Sequence, residues 1–363
     1  MLVPKRIREL KPYIAGKSIE QVVEQYHPPR ISKLASNENR LGSSGMALQA
    51  ALDSMLSLNN YPDPASLKLR QKLAAGFNLK TANVIAGSGS EGVMSVILRT
   101  FMSGEEEALT ASATFIGFTV LANSHGLRLR QVPLTGDYRF DLPALAGAIT
   151  GKTRLIYLSN PNNPTGTSFT RSEWEAFMDQ VPPGVLVILD EAYFEFASGF
   201  ETYPDSMDYR FDNVITLRTF SKAYGLAGLR IGYGLGAQEI ISNLMKVKLP
   251  FEPSAPAQAA GLAALDDKAF LDKTRLIVRS GREQLYRFLE AQGVAYVPSM
   301  ANFVMAVFPT GREAVEFTAE MLKRGVILRR LPAFGLPHCV RITIGLPGDM
   351  EHFEESFLKV SRG

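Results

Sequence analysis

The densest run of reactive side chains lies in TLRTFSKAYGLAGLRIGYG, from Thr216 to Gly234. Thr219, Ser221, Lys222 and Arg230 share a glycine-rich turn after the apolar run NVIT. Hydroxyls and a guanidinium suit a phosphate dianion, because the arginine fork matches phosphate oxygens. Lys222 stands among them. A lysine held beside cations gives up its proton more readily and can act as a neutral amine nucleophile. An isolated loop lysine is ordinarily a surface residue, but the hydroxyls, glycines and arginine around this one argue for chemistry.

A second anion-binding feature is GSGSEG, Gly87 to Gly92, preceded by NVIA and followed by VMSVILRTFM. Strand, glycine turn and helix form the context in which G-x-G-x-x-G binds a phosphate. Gly89, Ser90 and Glu91 open the helix, so their backbone N–H groups and the helix dipole face an anion. A dinucleotide site would also need an acidic ribose partner at the end of the next strand. That strand, EALTAS, has Glu105, Glu106 and Glu107 at its start and Ala111-Ser112 at its end. The turn is therefore read as a phosphate cradle of another kind.

Three further stretches supply candidates. VLVILDEAYFEF ends a buried run with Asp190, and Tyr193 follows three residues later. A carboxylate at the C-terminal end of a parallel strand stands where α/β sheets place ligands, although such aspartates also cap helices. SNPNNPTG (Ser159 to Gly166) follows RLIYL, and its prolines, Asn162, Asn163 and Gly166 make a rigid turn. ASATFIGF (Ala111 to Phe118) contributes Phe115, which alone would read as a core aromatic.

The scaffold that must position these groups is also visible. The chain has 363 residues, 46% hydrophobic and 21% charged, enough for a large domain and a smaller one. Lys plus Arg exceed Asp plus Glu by only 39 to 36, spread along the chain, which gives no footprint for nucleic acid. Strands are expected at NVIAG, EALTAS, LRLRQVPL, RLIYLS, VLVILD, NVITLRT and RIGYG, with helical patterns such as TRSEWEAFMDQV between them. Runs without polar alternation suit a mostly parallel sheet covered by helices on both faces, an α/β fold. After LPFEPSAPAQ the texture changes to long helical patterns, ANFVMAVF and CVRITIG. The expected organisation is an N-terminal arm (1–43), a large domain (44–250) and a small α+β domain (251–363). Cys339 is the only cysteine, the N-terminus has no apolar core of signal-peptide length, and no apolar run could span a bilayer. A cytoplasmic setting is expected, with no membrane or nucleic-acid partner and no metal.

S-K-x-x-x-L-x-G-L-R-x-G, starting at Ser221, resembles the Schiff-base lysine motif of the class I/II aminotransferases, pyridoxal 5′-phosphate enzymes of fold type I. The resemblance implies that Lys222 carries the cofactor and that Ser221 and Arg230, with Thr219 beside them, bind its phosphate. Gly89, Ser90 and Glu91 match the family's phosphate turn. Asp190 matches the aspartate that keeps the pyridine nitrogen protonated, which strengthens the ring as an electron sink. Asn163 matches the asparagine that hydrogen-bonds the cofactor 3-oxygen, shared with Tyr193. Phe115 matches the aromatic stacked over the ring, with Ala113 where a proline is usual.

Within the family the chain is similar to the histidinol-phosphate aminotransferases from end to end. LKPYIAGKSIEQV resembles their P-Y-x-x-G-K segment, which implies Tyr13 near the substrate. NNYPDP matches R-Y-P-D-P, implying that Tyr61 reaches the cofactor phosphate of a neighbouring subunit and that the enzyme is a homodimer. GVILRR and CVRITIG match the segments whose arginines hold substrate anions, here Arg329 and Arg341. Arg40 stands where N-E-N is usually followed by proline, and Glu252 where P-F-N or P-Y-N is common. The implied reaction is a ping-pong amino transfer from histidinol phosphate to a 2-oxo acid such as 2-oxoglutarate, through Lys222. An aromatic or other amino-acid aminotransferase, a threonine-phosphate decarboxylase and an NAD-dependent oxidoreductase are the competing readings. The last gives Lys222 and Asp190 nothing to do.

Overall fold

The computed structural model describes residues 2–3, 5–8, 10 and 16–361. Seven strands build its main sheet: β1 (Val84–Gly87), β2 (Glu107–Ala111), β3 (Arg128–Val132), β4 (Thr153–Ser159), β5 (Leu186–Asp190), β6 (Val214–Thr219) and β7 (Gly232–Gly236). All seven fall on the runs expected from sequence. Their spatial order is β1-β7-β6-β5-β4-β2-β3. Every neighbouring pair is parallel except those made by β7, which runs antiparallel to both β6 and β1.

Side-chain alternation along these strands divides the core into two layers. Leu155, Tyr157 and Ile188 pack with Val93, Ile97 and Phe118 on one face. Ile156, Leu158, Val187 and Leu189 pack with Trp174 and Phe177 on the other. The helix carrying those two aromatics, Arg171–Met178, starts at a capping box in which Thr170 and Glu173 satisfy each other's backbone N–H groups. β3 lies at the sheet's edge, and its Arg128 and Arg130 leave that strand without a buried residue, a composition that discourages further pairing.

The C-terminal unit is an antiparallel sheet of β8 (Ala295–Val297), β9 (Phe303–Val307), β10 (Arg329–Leu331) and β11 (Leu336–Thr343), ordered β10-β11-β9-β8. Leu285, Leu289, Phe317, Met321, Phe353 and Phe357 cover it from three helices. Ser32 and Lys33 pair in parallel with Val326 and Ile327, stitching the N-terminal segment to this unit. The helix Ala255–Ala264 goes the other way. Its Ala257, Ala260 and Ala264 pack with Ala47, Leu69, Leu73 and Tyr233 in the larger unit. The change of packing partner therefore falls along the helix Lys268–Ala291, later than residue 251.

A buried charge cluster fastens the centre of the main sheet. Arg218, 1% exposed, donates from Nε to Glu191 Oε2 at 2.9 Å and from Nη2 to Asp205 Oδ1 at 2.8 Å. Its guanidinium lies 3.3 Å from the centroid of the Phe194 ring. Burial pushes the Glu191 carboxyl up while Arg218 pulls it back down. Removing one member of such a pair leaves the other's charge unpaired in a low dielectric. Arg218→Met should lower stability by about 3–5 kcal/mol, seen as a lower urea midpoint with unchanged slope.

Candidate active site

The C-terminal ends of the parallel strands, and the beginning of β7, meet along one edge of the sheet. Register places Ser159 beside Asp190, and Thr219 and Gly87 beside Gly232. Six loops thus open toward the C-terminal unit, the place where open α/β sheets hold ligands.

The cradle at this edge is assembled from two of those loops, the turn after β1 and the connection from β6 to β7. Gly89 begins the helix Gly89–Phe101 with φ +78°, a left-handed conformation that favours glycine. A Cβ at Gly89 would stand 2.8 Å from Arg230 Nη2, and one at Gly232 would stand 2.5 Å from Ser90 N. Those glycines let the helix start, β7 and the arginine approach one another. Arg230 donates from Nη1 to Ser221 Oγ at 3.2 Å and from Nη2 to Glu91 Oε2 at 3.2 Å. Ser221 N in turn donates to Thr219 Oγ1 at 3.1 Å. The Glu91 carboxylate is thus taken by Arg230, so only its backbone N–H serves an anion. Guanidinium, hydroxyls and helix-start N–H groups together match a phosphate dianion.

Asp190 lies at the back of the edge, 2% exposed. Its Oδ2 accepts from the Tyr157 hydroxyl at 2.8 Å and its Oδ1 from Ala192 N at 3.2 Å. Burial pushes its carboxyl up to about 6, against the pull of those two donors. A carboxylate so placed gains most from a cationic N–H brought into contact with it. Tyr157 carries no signal in the sequence beyond an apolar strand pattern.

Lys222 is partly open, with Nζ 3.4 Å from the Ser36 carbonyl and 5.9 Å from the centroid of the Tyr193 ring. Burial, then the Arg341 and Arg230 charges, depress its ammonium from 10.5 to about 8, despite Glu38 and Glu91. Tyr193 is buried against Phe303, ring centroids 5.2 Å apart and nearly perpendicular. Burial raises its phenol to about 12.

Arg341, on β11 of the C-terminal unit, reaches across to Asn163 Oδ1 and donates to the Ala35 carbonyl at 2.9 Å. Arg329 is its directly opposed neighbour on β10. Two like charges paired across a sheet repel, so the pair gains from an anion placed between them. Asn162 holds the loop after β2, donating to Ala113 O at 3.0 Å and accepting from Thr114 Oγ1 at 2.9 Å. That clamp shapes the loop where a proline is absent. The Phe115 ring covers Gly117, where an added Cβ would stand 2.5 Å from it and 2.6 Å from Glu91 Oε1. Arg40 is held by both oxygens of Asp349, at 3.1 and 3.4 Å, and so ties the segment after Asn37 to the C-terminal helix.

One expected residue stands apart. Tyr61 is 80% exposed and stacks on Phe251 at 4.3 Å, away from the Lys222 cluster of its own chain. Tyr13 lies outside the described residues. Sequence reading also passed over Asn37, whose Nδ2 donates to the Tyr193 hydroxyl at 2.8 Å. It opens the N-E-N stretch before Arg40, but nothing in that pattern says where its amide points.

The lowered Lys222 pKa has a direct chemical consequence. With the folded value near 8, the amine predominates above that pH and the ammonium below it. In cofactor-free protein, labelling of Lys222 by trinitrobenzenesulfonate should be half-maximal near pH 8, well below the ordinary lysine value of 10.5. Peptide mapping across pH, with Lys222→Ala as reference, measures this.

Comparison with known proteins agrees with this geometry. The family model described as "Aminotransferase class I and II" matches residues 29–357. A histidinol-phosphate aminotransferase from Anaeromyxobacter sp. (strain Fw109-5) is 42% identical, covering 96% of each chain. Another from Geobacillus sp. (strain WCH70) is 41% identical, over 95% of this chain and 94% of that one. The crystal structure of histidinol-phosphate aminotransferase from Sinorhizobium meliloti, in complex with pyridoxal-5′-phosphate, superposes with a TM-score of 0.90 at 30% identity, covering 99% of this chain and 98% of that one. A cradle for a phosphate, a buried carboxylate and a poised lysine at one sheet edge are what such a protein needs, and this chain belongs to the class I and II aminotransferases.

Proposed function

We propose that the chain is a pyridoxal-phosphate-dependent aminotransferase that takes the amino group of histidinol phosphate and passes it to a 2-oxo acid such as 2-oxoglutarate. The observation that carries the substrate is the cross-strand pair Arg329 and Arg341, with Asn163 held by Arg341. Histidinol phosphate has no α-carboxylate, so one pocket must take its phosphate in one half-reaction and the acceptor's carboxylates in the other. Paired guanidinium groups serve both.

The cofactor fits the cradle. Arg230, Ser221, Thr219 and the N–H groups of Gly89, Ser90 and Glu91 would hold its phosphate, Asp190 its ring nitrogen, Asn163 and Tyr193 its phenolic oxygen, Phe115 its ring face and Lys222 its carbonyl carbon. Bound there, it supplies an electron sink for the bonding pair released at the substrate carbon. Asp190 keeps the ring nitrogen protonated, a state favoured because the added positive charge relieves a buried carboxylate. Lys222 Nζ, whose lowered pKa makes its neutral amine accessible near neutral pH, would take the proton from the substrate carbon and deliver it to the cofactor.

A second copy of the chain completes the site in this reading. Met46, Leu48, Leu52, Met55 and Leu58, in the segment leading to Tyr61, are exposed, more apolar surface than isolated surface residues explain. A partner covering it would accept Tyr61 onto its own cofactor phosphate, and Tyr13 would lie near the substrate. Among the described residues no helix is long and apolar enough to cross a membrane, and a cytoplasmic setting is the natural one for this chemistry.

Loaded protein should show a visible band that borohydride abolishes, with the reduced label on Lys222. A colourless protein that takes up no pyridoxal phosphate would overturn the reading. Single-turnover amino transfer should be fastest with histidinol phosphate among histidinol phosphate, phenylalanine, tyrosine and threonine phosphate. Equal rates with phenylalanine would leave the aminotransferase standing and remove the substrate. Arg341→Ala should lower kcat/KM for donor and acceptor alike by about 10²–10³-fold.

A further inference from the structure

The Tyr193 hydroxyl ends a chain of hydrogen bonds that runs from the Asn37 backbone through Thr343 and the Asn37 amide. Asn37 N–H can only donate, and it meets Thr343 Oγ1 at 3.0 Å. The Thr343 hydroxyl accepts there and donates its own proton to Asn37 Oδ1, also at 3.0 Å. With its oxygen facing Thr343, the Asn37 amide presents Nδ2 to Tyr193, and Nδ2 can only donate. Tyr193 Oη is thus an acceptor on this side at 2.8 Å. The backbone of Asn37 is pinned as well. It holds φ +56°, a left-handed conformation that asparagine tolerates better than most residues, and Asn302 Nδ2 donates to its carbonyl at 3.1 Å.

We propose that Thr343 and Asn37 act as positioning residues that turn the Tyr193 hydroxyl proton away from the C-terminal unit and toward the cofactor's phenolic oxygen. An asparagine flipped the other way would take that proton for itself, and a carboxylate in its place would take it more firmly. The inference rests on the reading of Tyr193 as a hydrogen-bond donor to bound pyridoxal phosphate. It adds the reason the phenol donates: the direction is set two residues beyond Arg341 on β11, on the same face of that strand. The charged and titratable groups that face Tyr193 are Arg341 from β11, Asp190 and Tyr157 from the main sheet, and Lys222 beneath its ring.

A donor aimed at the phenolic oxygen stabilises its negative charge and makes the chromophore a weaker base. Losing that donor moves the pH midpoint of the visible band upward. The measurement is a spectrophotometric pH titration of protein loaded with pyridoxal phosphate. Thr343→Val keeps the side-chain shape but removes the hydroxyl, and Asn37→Asp replaces the amide by an acceptor. Both should raise the midpoint by about one pH unit, the size expected for one charge-assisted hydrogen bond. Thr343→Ser should restore the wild-type value. In a Tyr193→Phe background, Thr343→Val should add nothing.

Tyr193→Phe separates the two layers of the argument. If it leaves the midpoint unmoved, the reading of Tyr193 as donor fails. If it raises the midpoint while Thr343→Val and Asn37→Asp stay at the wild-type value, Tyr193 stands and the directing chain is overturned. A Thr343→Val shift that persists undiminished in the Tyr193→Phe background, or that Thr343→Ser does not reverse, also overturns it. Should Thr343→Val fail to take up cofactor, Asn37→Asp carries the same comparison.

Discussion

The register between β5 and β6 is the constraint on which the site depends, and a buried guanidinium holds it. Arg218 lies immediately before Thr219 on β6, and its partner Glu191 lies immediately after Asp190 on β5. Alternate residues on a strand face opposite ways, so the same two strands show ionised groups to the core on one side and functional groups to the site on the other. A slip of one residue would exchange those faces and bury Lys222's neighbours against the apolar layer. The paired charges make such a slip costly, because neither tolerates burial alone. Cation–π contact with Phe194 secures the arginine further.

Around that frame, the protein sets three proton-bearing groups at different points. Burial dominates in each case, but with opposite results for acids and bases. Asp190 rises to about 6 and Tyr193 to about 12, whereas Lys222 falls to about 8. The linkage signs follow from those directions. Between the ordinary aspartate value of 3.8 and about 6, the unfolded Asp190 is ionised and the folded one is protonated, so its contribution to stability falls as pH rises through that window. Between about 8 and 10.5, unfolded Lys222 binds the extra proton, so its contribution grows as pH rises. A cofactor with a cationic ring nitrogen and an electrophilic carbon relieves both strains, and binding is thereby coupled to the groups that make the site reactive.

Much of this was legible in the sequence, for physical reasons that differ by element. The main strands other than β3 are short, mostly apolar runs between turn residues, and the buried ones lack polar alternation because helices cover both faces. Ser221, Lys222 and Arg230 could be grouped because a phosphate cradle needs particular residue types in a short span, and Gly89 was found separately through its strand, glycine turn and helix context. The packing of residues 255–264 was hidden because alanines commit to no partner. Tyr157, Asn37 and Thr343 were hidden for another reason. Each matters through the direction of one hydrogen bond to a residue far away in the chain, and no local pattern encodes that direction.

The junction between the two units then becomes more than a cleft. Arg341 and Thr343 lie on one face of β11, and each reaches across it, Arg341 to Asn163 and Thr343 through Asn37 to Tyr193. Asn163 and Tyr193 come from the loops after β4 and β5, so one strand of the C-terminal unit touches two loops of the main sheet. An anion drawn to Arg341 competes with Asn163 for the same guanidinium. Any movement of β11 that accompanies that exchange also acts on Thr343, two residues along a rigid strand. Substrate capture and the aim of the Tyr193 proton thus rest on one strand, β11, which is paired on both sides within the small sheet.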